Sequence, residues 1–83
     1  MENPAKGKIT KVVAFGTTPP TSAEILIRLD DTYSFFVFAD TPKLKFSELA
    51  KTAFDAMWSG NVVAVTWHPV KNNMEVTNIT IVA

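Results

Sequence analysis

Five stretches of the chain read as strands, some by apolar–polar alternation with a period of two and two by apolar residues on both faces, and one stretch repeats with a period near 3.6. The five stretches are residues 8–15, 23–29, 33–39, 61–68 and 74–82, and the sixth, residues 46–59, lies between the third and fourth. A period of two puts successive side chains on opposite faces of a strand, whereas 3.6 lines up one face of a helix. The predicted order is therefore β-β-β-α-β-β, which suits a small closed barrel with a helix plugging one end.

The strands differ in how cleanly they alternate. In 8–15, Ile9, Val13 and Phe15 share a face with Lys11 as the exception, and Lys8, Thr10, Val12 and Ala14 take the other. Gly16, Pro19 and Pro20 break that strand into a loop over residues 16–22. Ile25, Ile27 and Leu29 are in phase, and Asp30-Asp31 with Thr32 reads as a hairpin turn into the third strand. That strand is apolar on both faces, with Tyr33, Phe35 and Val37 opposite Phe36 and Phe38. The fourth sets Val63, Val65 and Trp67 against Val62, Ala64 and Thr66. A strand with one wet face alternates with polar residues, so a helix, a neighbouring subunit or a ligand must cover the second face. Phe36, Phe38, Val62 and Ala64 are the expected oligomer interface. Residues 69–73 read as a loop. In the last strand Met74 and Val76 are in one phase and Ile79 and Ile81 in the other, which predicts a bulge near Thr77-Asn78.

Phe46, Leu49, Ala50, Ala53, Phe54 and Met57 form the apolar stripe of the helix, with Lys45, Glu48, Lys51, Thr52 and Asp55 on the other side. Phe54, in mid-stripe, is expected to plug the barrel. Asp40 or Thr41 is expected to cap a first turn that has Pro42 at its start, with Ser47 as the cap of a shorter helix. Gly60 stands where a left-handed C-terminal residue belongs.

Eighty-three residues make a single domain, 1–83, near the size at which one core is barely sufficient. Without cysteine, no disulfide or thiolate metal site supplements that core. The chain is 47% apolar, with six Phe, two Trp and one Tyr, and its formal charge is zero. A neutral surface on a small apolar domain favours self-association, so a homo-oligomer is expected. Neutrality also weakens a case for nonspecific nucleic-acid binding, which draws its affinity from phosphate neutralisation. No stretch is long and apolar enough for a membrane span, and no apolar leader region follows Met1. As the sequence stands the protein reads as cytoplasmic, or as secreted if this is a mature form with an added Met.

Chemistry-bearing residues are few. His68 has no His or Cys partner for a metal, and Asp30-Asp31 suits turn chemistry better than acid/base work. There is no nucleophile motif and no phosphate-cradling glycine loop. The expectation is a non-enzyme with no cofactor and no metal.

The element order is that of an OB-like five-stranded barrel, mostly β with one helix. Residues 47–83 resemble the C-terminal half of the B subunits of AB-type bacterial toxins, the cholera and heat-labile enterotoxin group. The resemblance lies in the helix, the strand ending Val65-Thr66-Trp67, the Asn-rich loop 68–73 with its proline, and the closing strand. It implies a ring-forming, glycan-binding module, with Trp67 matching a tryptophan that stacks on sugar. Trp67, His68, Lys71 and Asn72 are then the expected ligand contacts, with a glycan or a partner polypeptide as the ligand. The enterotoxin members carry a disulfide, which this chain lacks. The alternative is a single-stranded nucleic-acid-binding OB protein. It would use Tyr33, Phe35, Phe36 and Phe38 as stacking platforms beside Lys6, Lys8, Lys11 and Arg28, with Lys43, Lys45 and Lys51 around the helix start.

Overall fold

A computed structural model of the chain describes residues 2–14, 23–38 and 40–82. It has β1 (Ala5–Ala14), β2 (Ala23–Leu29), β3 (Tyr33–Phe38), α1 (Lys43–Ser59), β4 (Val62–Val70) and β5 (Asn73–Ile81). The strands close into a barrel in the order β1-β2-β3-β5-β4. The fold is thus the expected closed five-stranded barrel, mostly β with one helix, in the order β-β-β-α-β-β. Phe15, the loop expected over residues 16–22, and Ala39 lie outside the described residues.

One strand serves two neighbours, and a bulge makes this happen. The first half of β1 pairs antiparallel with β4, from Ala5↔Val65 to Lys8↔Val62. Its second half pairs with β2, and the register slips between Ile9↔Leu29 and Lys11↔Arg28. Thr10 is the extra residue. Its insertion reverses the inward phase, so Ile9 is buried but Val12, not Val13, packs against the core next. Lys11 is therefore no exception to the alternation: the bulge turns it outward. Asp30 ties this corner, accepting the Lys8 backbone N–H at 2.9 Å while its own N–H donates to the Lys8 carbonyl at 2.9 Å. Asp30 and Asp31 both take left-handed conformations, φ +52° and +55°, which Asp tolerates better than most residues.

The hairpin between β4 and β5 is tighter than the sequence suggests. Val70 pairs with Asn73 across a two-residue turn of Lys71 and Asn72, with Lys71 at φ +48°. Pro69 belongs to β4, opposite Met74, rather than to a loop. Farther along, Thr66 pairs with Asn78 but Trp67 pairs with Val76, leaving Thr77 as a bulged residue. That is the bulge expected from the phase change in this strand. It lets Val76 and Ile79 both face inward.

Ile27, Leu29, Phe35, Val37, Val63 and Val65 are fully buried inside the barrel. The helix crosses onto β1 and β5 and buries Leu49, Ala53 and Ala56. Phe46, Ala50 and Met57 flank these, half-buried. The expected plug, Phe54, is instead 40% exposed. Ala56 takes the inward place, and the two buried alanines let the helix backbone approach the strands where a Phe ring would hold it off. The start of α1 also differs from expectation. No side chain caps it; Pro42 itself is the N-cap residue (φ −53°, ψ 140°), and its carbonyl accepts the Phe46 N–H at 2.8 Å. Asp40 and Thr41 form the turn before it, with the Thr41 N–H donating to the Phe38 carbonyl at 3.1 Å. At the other end Gly60 adopts φ +70°, and the Asn61 N–H closes back on the Ala56 carbonyl at 3.2 Å.

Candidate functional site

The tight β4–β5 turn sets one register, and that register builds the site. With Val70 opposite Asn73, His68 falls opposite Glu75. Their side chains meet at 2.7 Å, His68 Nε2 to Glu75 Oε1, with His68 half exposed and Glu75 largely covered. Glu75 is also where the barrel closes, since its backbone is the parallel partner of Phe36 on β3. Phe36 stacks beside Phe38 on the outer face of β3, ring centroids 6.4 Å apart and 26° between planes.

A cleft of about 340 Å³ opens between the end of β3 and the β4–β5 turn, lined by Phe38, Asp40, Val70, Lys71, Asn73 and Glu75. A second, of about 290 Å³, adjoins the start of α1 and is lined by Asp40, Thr41, Pro42, Lys45, Glu75, Val76 and Thr77. Asp40 and Glu75 line both, so the two clefts meet at a pair of carboxylates with an amine on either side. Phe38 is buried at 7% exposure, which makes it a floor rather than a protruding platform. The arrangement offers acceptors from Asp40 and Glu75, donors from Lys71 and Lys45, and an amide from Asn73 that does both. Among the described residues no group of three or more His, Asp or Glu side chains is placed to hold a metal ion.

The four residues expected to contact ligand do not share one surface. Lys71 lines the larger cleft, and His68 reaches it only through Glu75. Asn72 sits exposed at the tip of the turn. Trp67 follows the inward phase of β4 and tilts against the buried Phe35 ring, centroids 6.5 Å apart. Its indole N–H donates to the Glu2 carbonyl at 3.0 Å. The Asn3 side chain grips its backbone, donating to the Trp67 carbonyl at 2.6 Å and accepting the Trp67 N–H at 3.2 Å. The Asn3 amide thereby extends the β1–β4 ladder by one rung, and Pro69, with no N–H, ends that edge.

The four expected interface residues also separate. Phe36 and the buried Phe38 lie on β3, Val62 and Ala64 at the far end of β4, and β5 runs between these strands. The exposed large apolar side chains are elsewhere. Leu44 and Trp58 on α1 are each 83% exposed, with Phe54, Tyr33, Ile81 and Val82 between 40% and 50%. The signal for Trp58 was its place off the helix stripe; that for Glu75 was the 68↔75 pairing, which follows only from the two-residue turn, and Asp40 joins it through the β3–β5 pairing of Phe36 with Glu75.

On β1 to β3 the outer face carries a different set. Lys11 lies directly across from Arg28, and Val13, Leu26 and Phe36 form the adjoining apolar row. The Arg28 Nε is buried without a hydrogen-bond partner. Comparison of the chain with protein-family models, with curated proteins and with solved structures returned no match.

Proposed function

We propose that the chain is a non-enzymatic binding module that works as a homo-oligomer and takes a hydroxyl-rich, glycan-type ligand in the cleft over Phe38. The observation behind this reading is the company that cleft keeps. Asp40, Asn73, Glu75 and Lys71 surround an apolar ring within about 340 Å³, inside the usual range for small-ligand sites. Hydroxyl groups donate and accept at once, and this rim supplies both partners. A phosphate would meet two carboxylates there, and a simple cation would meet Lys71. The resemblance to toxin B subunits favours the same ligand class, but the ligand contacts move from Trp67 to the cleft, because the Trp67 N–H is already used by Glu2.

Titration with a glycan panel at low and high salt tests this. Binding should be insensitive to salt, vanish in Asp40→Ala and Asn73→Ala, and survive Trp67→Phe. Absence of binding across the panel, or loss in Trp67→Phe alone, would refute it.

One observation favours a second reading, single-stranded nucleic acid on the outer face of β1–β3. There Arg28 and Lys11 flank the Leu26–Phe36 row, and the Arg28 Nε lacks a partner. Affinity for an oligonucleotide would then fall with salt at about −0.7 per phosphate contacted and collapse in Arg28→Ala.

A further inference from the structure

We propose that two copies of this chain pair antiparallel through the C-terminal half of the outer face of α1, with Phe54 at the two-fold axis. The proposal rests on the homo-oligomer reading above and names its surface. Lys51, Phe54, Asp55 and Trp58 all lie within two turns of α1, on the side away from the buried Leu49, Ala53 and Ala56. Phe54 and Trp58 are one turn apart and form a continuous apolar strip, 40% and 83% exposed. Lys51 and Asp55 are also one turn apart and carry opposite charges. Among the described residues the one ion pair is His68–Glu75, so neither Lys51 nor Asp55 has an ionic partner among them.

The charge order selects the occupant. Turning a second helix end for end about Phe54 brings Lys51 of each copy to Asp55 of the other, twice over. The same rotation stacks the two Phe54 rings at the centre and lays each Trp58 along the stem of the other copy's Lys51, where indole and ammonium attract. A parallel partner would instead set Lys51 on Lys51 and Asp55 on Asp55. The face is self-complementary in one orientation only, and a second copy is the partner that supplies it.

Sedimentation or light scattering across a concentration series tests the pairing, with circular dichroism as the fold control. The parent should reach twice the 9.1 kDa of the chain. Trp58→Ser, at an exposed position, should weaken the dimer on the order of 30-fold with an unchanged spectrum. Lys51→Asp and Asp55→Lys should each weaken self-pairing more than about tenfold, because each sets like charges together. Mixing those two variants should restore most of the lost affinity, since every introduced charge then meets its opposite, with one of the two Trp58–Lys51 contacts still missing. A single-chain mass at every concentration would overturn both this surface and the homo-oligomer reading. An assembly left unchanged by Trp58→Ser and by both charge variants would overturn this surface alone, as would a mixture of the two charge variants that stays unpaired.

Discussion

Gly7→Ala should destabilise the protein, although a strand glycine replaced by alanine ordinarily gains stability. Propensity alone favours the alanine by about 0.5–1 kcal/mol, because glycine loses more backbone freedom on folding. At this position a Cβ would stand 2.7 Å from the Asp30 Cγ and 2.9 Å from its Oδ1, closer than non-bonded atoms tolerate. The carboxylate must swing away and surrender the Lys8 N–H that it holds at 2.9 Å. Losing a hydrogen bond to a charged acceptor costs about 1.5 kcal/mol, and the residual crowding adds about 1. The net expectation is a loss of about 1–2 kcal/mol, or roughly 5–15 °C in melting temperature for a domain of this size. Asp30→Gly is the informative second background. It removes the carboxylate and relieves the left-handed strain at φ +52°, and there Gly7→Ala should stabilise by about 0.5–1 kcal/mol. Urea unfolding of the four proteins yields the cycle, with a coupling of about 2 kcal/mol expected. A Gly7→Ala effect of equal sign and size in both backgrounds would refute the argument, because the contact with Asp30 would then carry none of it.

Other perturbations read the core and the caps. Leu49→Ala, at 3% exposure, should cost about 2–5 kcal/mol, whereas Phe54→Ala should leave the stability of the single domain within about 1 kcal/mol because its ring is 40% exposed; chemical melts at low protein concentration compare them. Asn3→Ala removes both hydrogen bonds to the Trp67 backbone and should cost about 1 kcal/mol. In a Trp58→Phe background it should also red-shift the remaining tryptophan emission, and an unshifted spectrum would mean that the N-terminal segment does not cover Trp67. Gly60→Ala finds open space around its new methyl group but keeps φ +70°, so a backbone cost of about 1 kcal/mol should appear in thermal unfolding.

The element order was legible because the helix announces itself by period and the strands by alternation or by short apolar runs bounded by turn residues. β2 has the bounds its alternation implies, Ala23–Leu29, and Gly60 ends α1 in the left-handed conformation expected of it. The two bulges show how legibility depends on the size of the signal. In β5 the phase change involves two apolar pairs, Met74 with Val76 and Ile79 with Ile81, and it placed the bulge at Thr77. In β1 the same event left one trace, a lysine on the apparent inner face, and a single residue does not distinguish a bulge from an imperfect strand. Phe54 misled for a physical reason. Apolar periodicity weights large side chains, but the helix seats itself by its small ones, and Ala53 and Ala56 turn the stripe so that Phe54 lies at its margin. The cleft was hidden for another. Asp40 and Glu75 are far apart in sequence and come to one cleft through the parallel pairing of Phe36 with Glu75, a contact between distant strands that no local pattern announces, while Pro69 reads as loop unless it is known that β4 has an open edge there.

The cleft and the proposed helix pairing bear on one another through the geometry of α1. Lys45 and Pro42, at its start, line the smaller cleft, and Phe54 lies nine residues on. Antiparallel pairing about Phe54 therefore sends the two cleft-bearing ends of the helices in opposite directions, with the two Lys45 positions about 27 Å apart along the helix axis. If the larger cleft, floored by Phe38 and sharing Asp40 and Glu75 with the smaller one, holds a single sugar unit as proposed, a rigid pair of such clefts turns a second contact into an intramolecular event. Gains from that linkage run from about 10²-fold to 10⁴-fold when the spacing of the ligands matches that of the sites. Retention on a dense glycan surface should then exceed affinity for the free sugar by such a factor, and Trp58→Ser should abolish the excess while leaving the free-sugar affinity intact. Equal loss of both would place Trp58 in the ligand site itself, and loss of neither would uncouple assembly from binding.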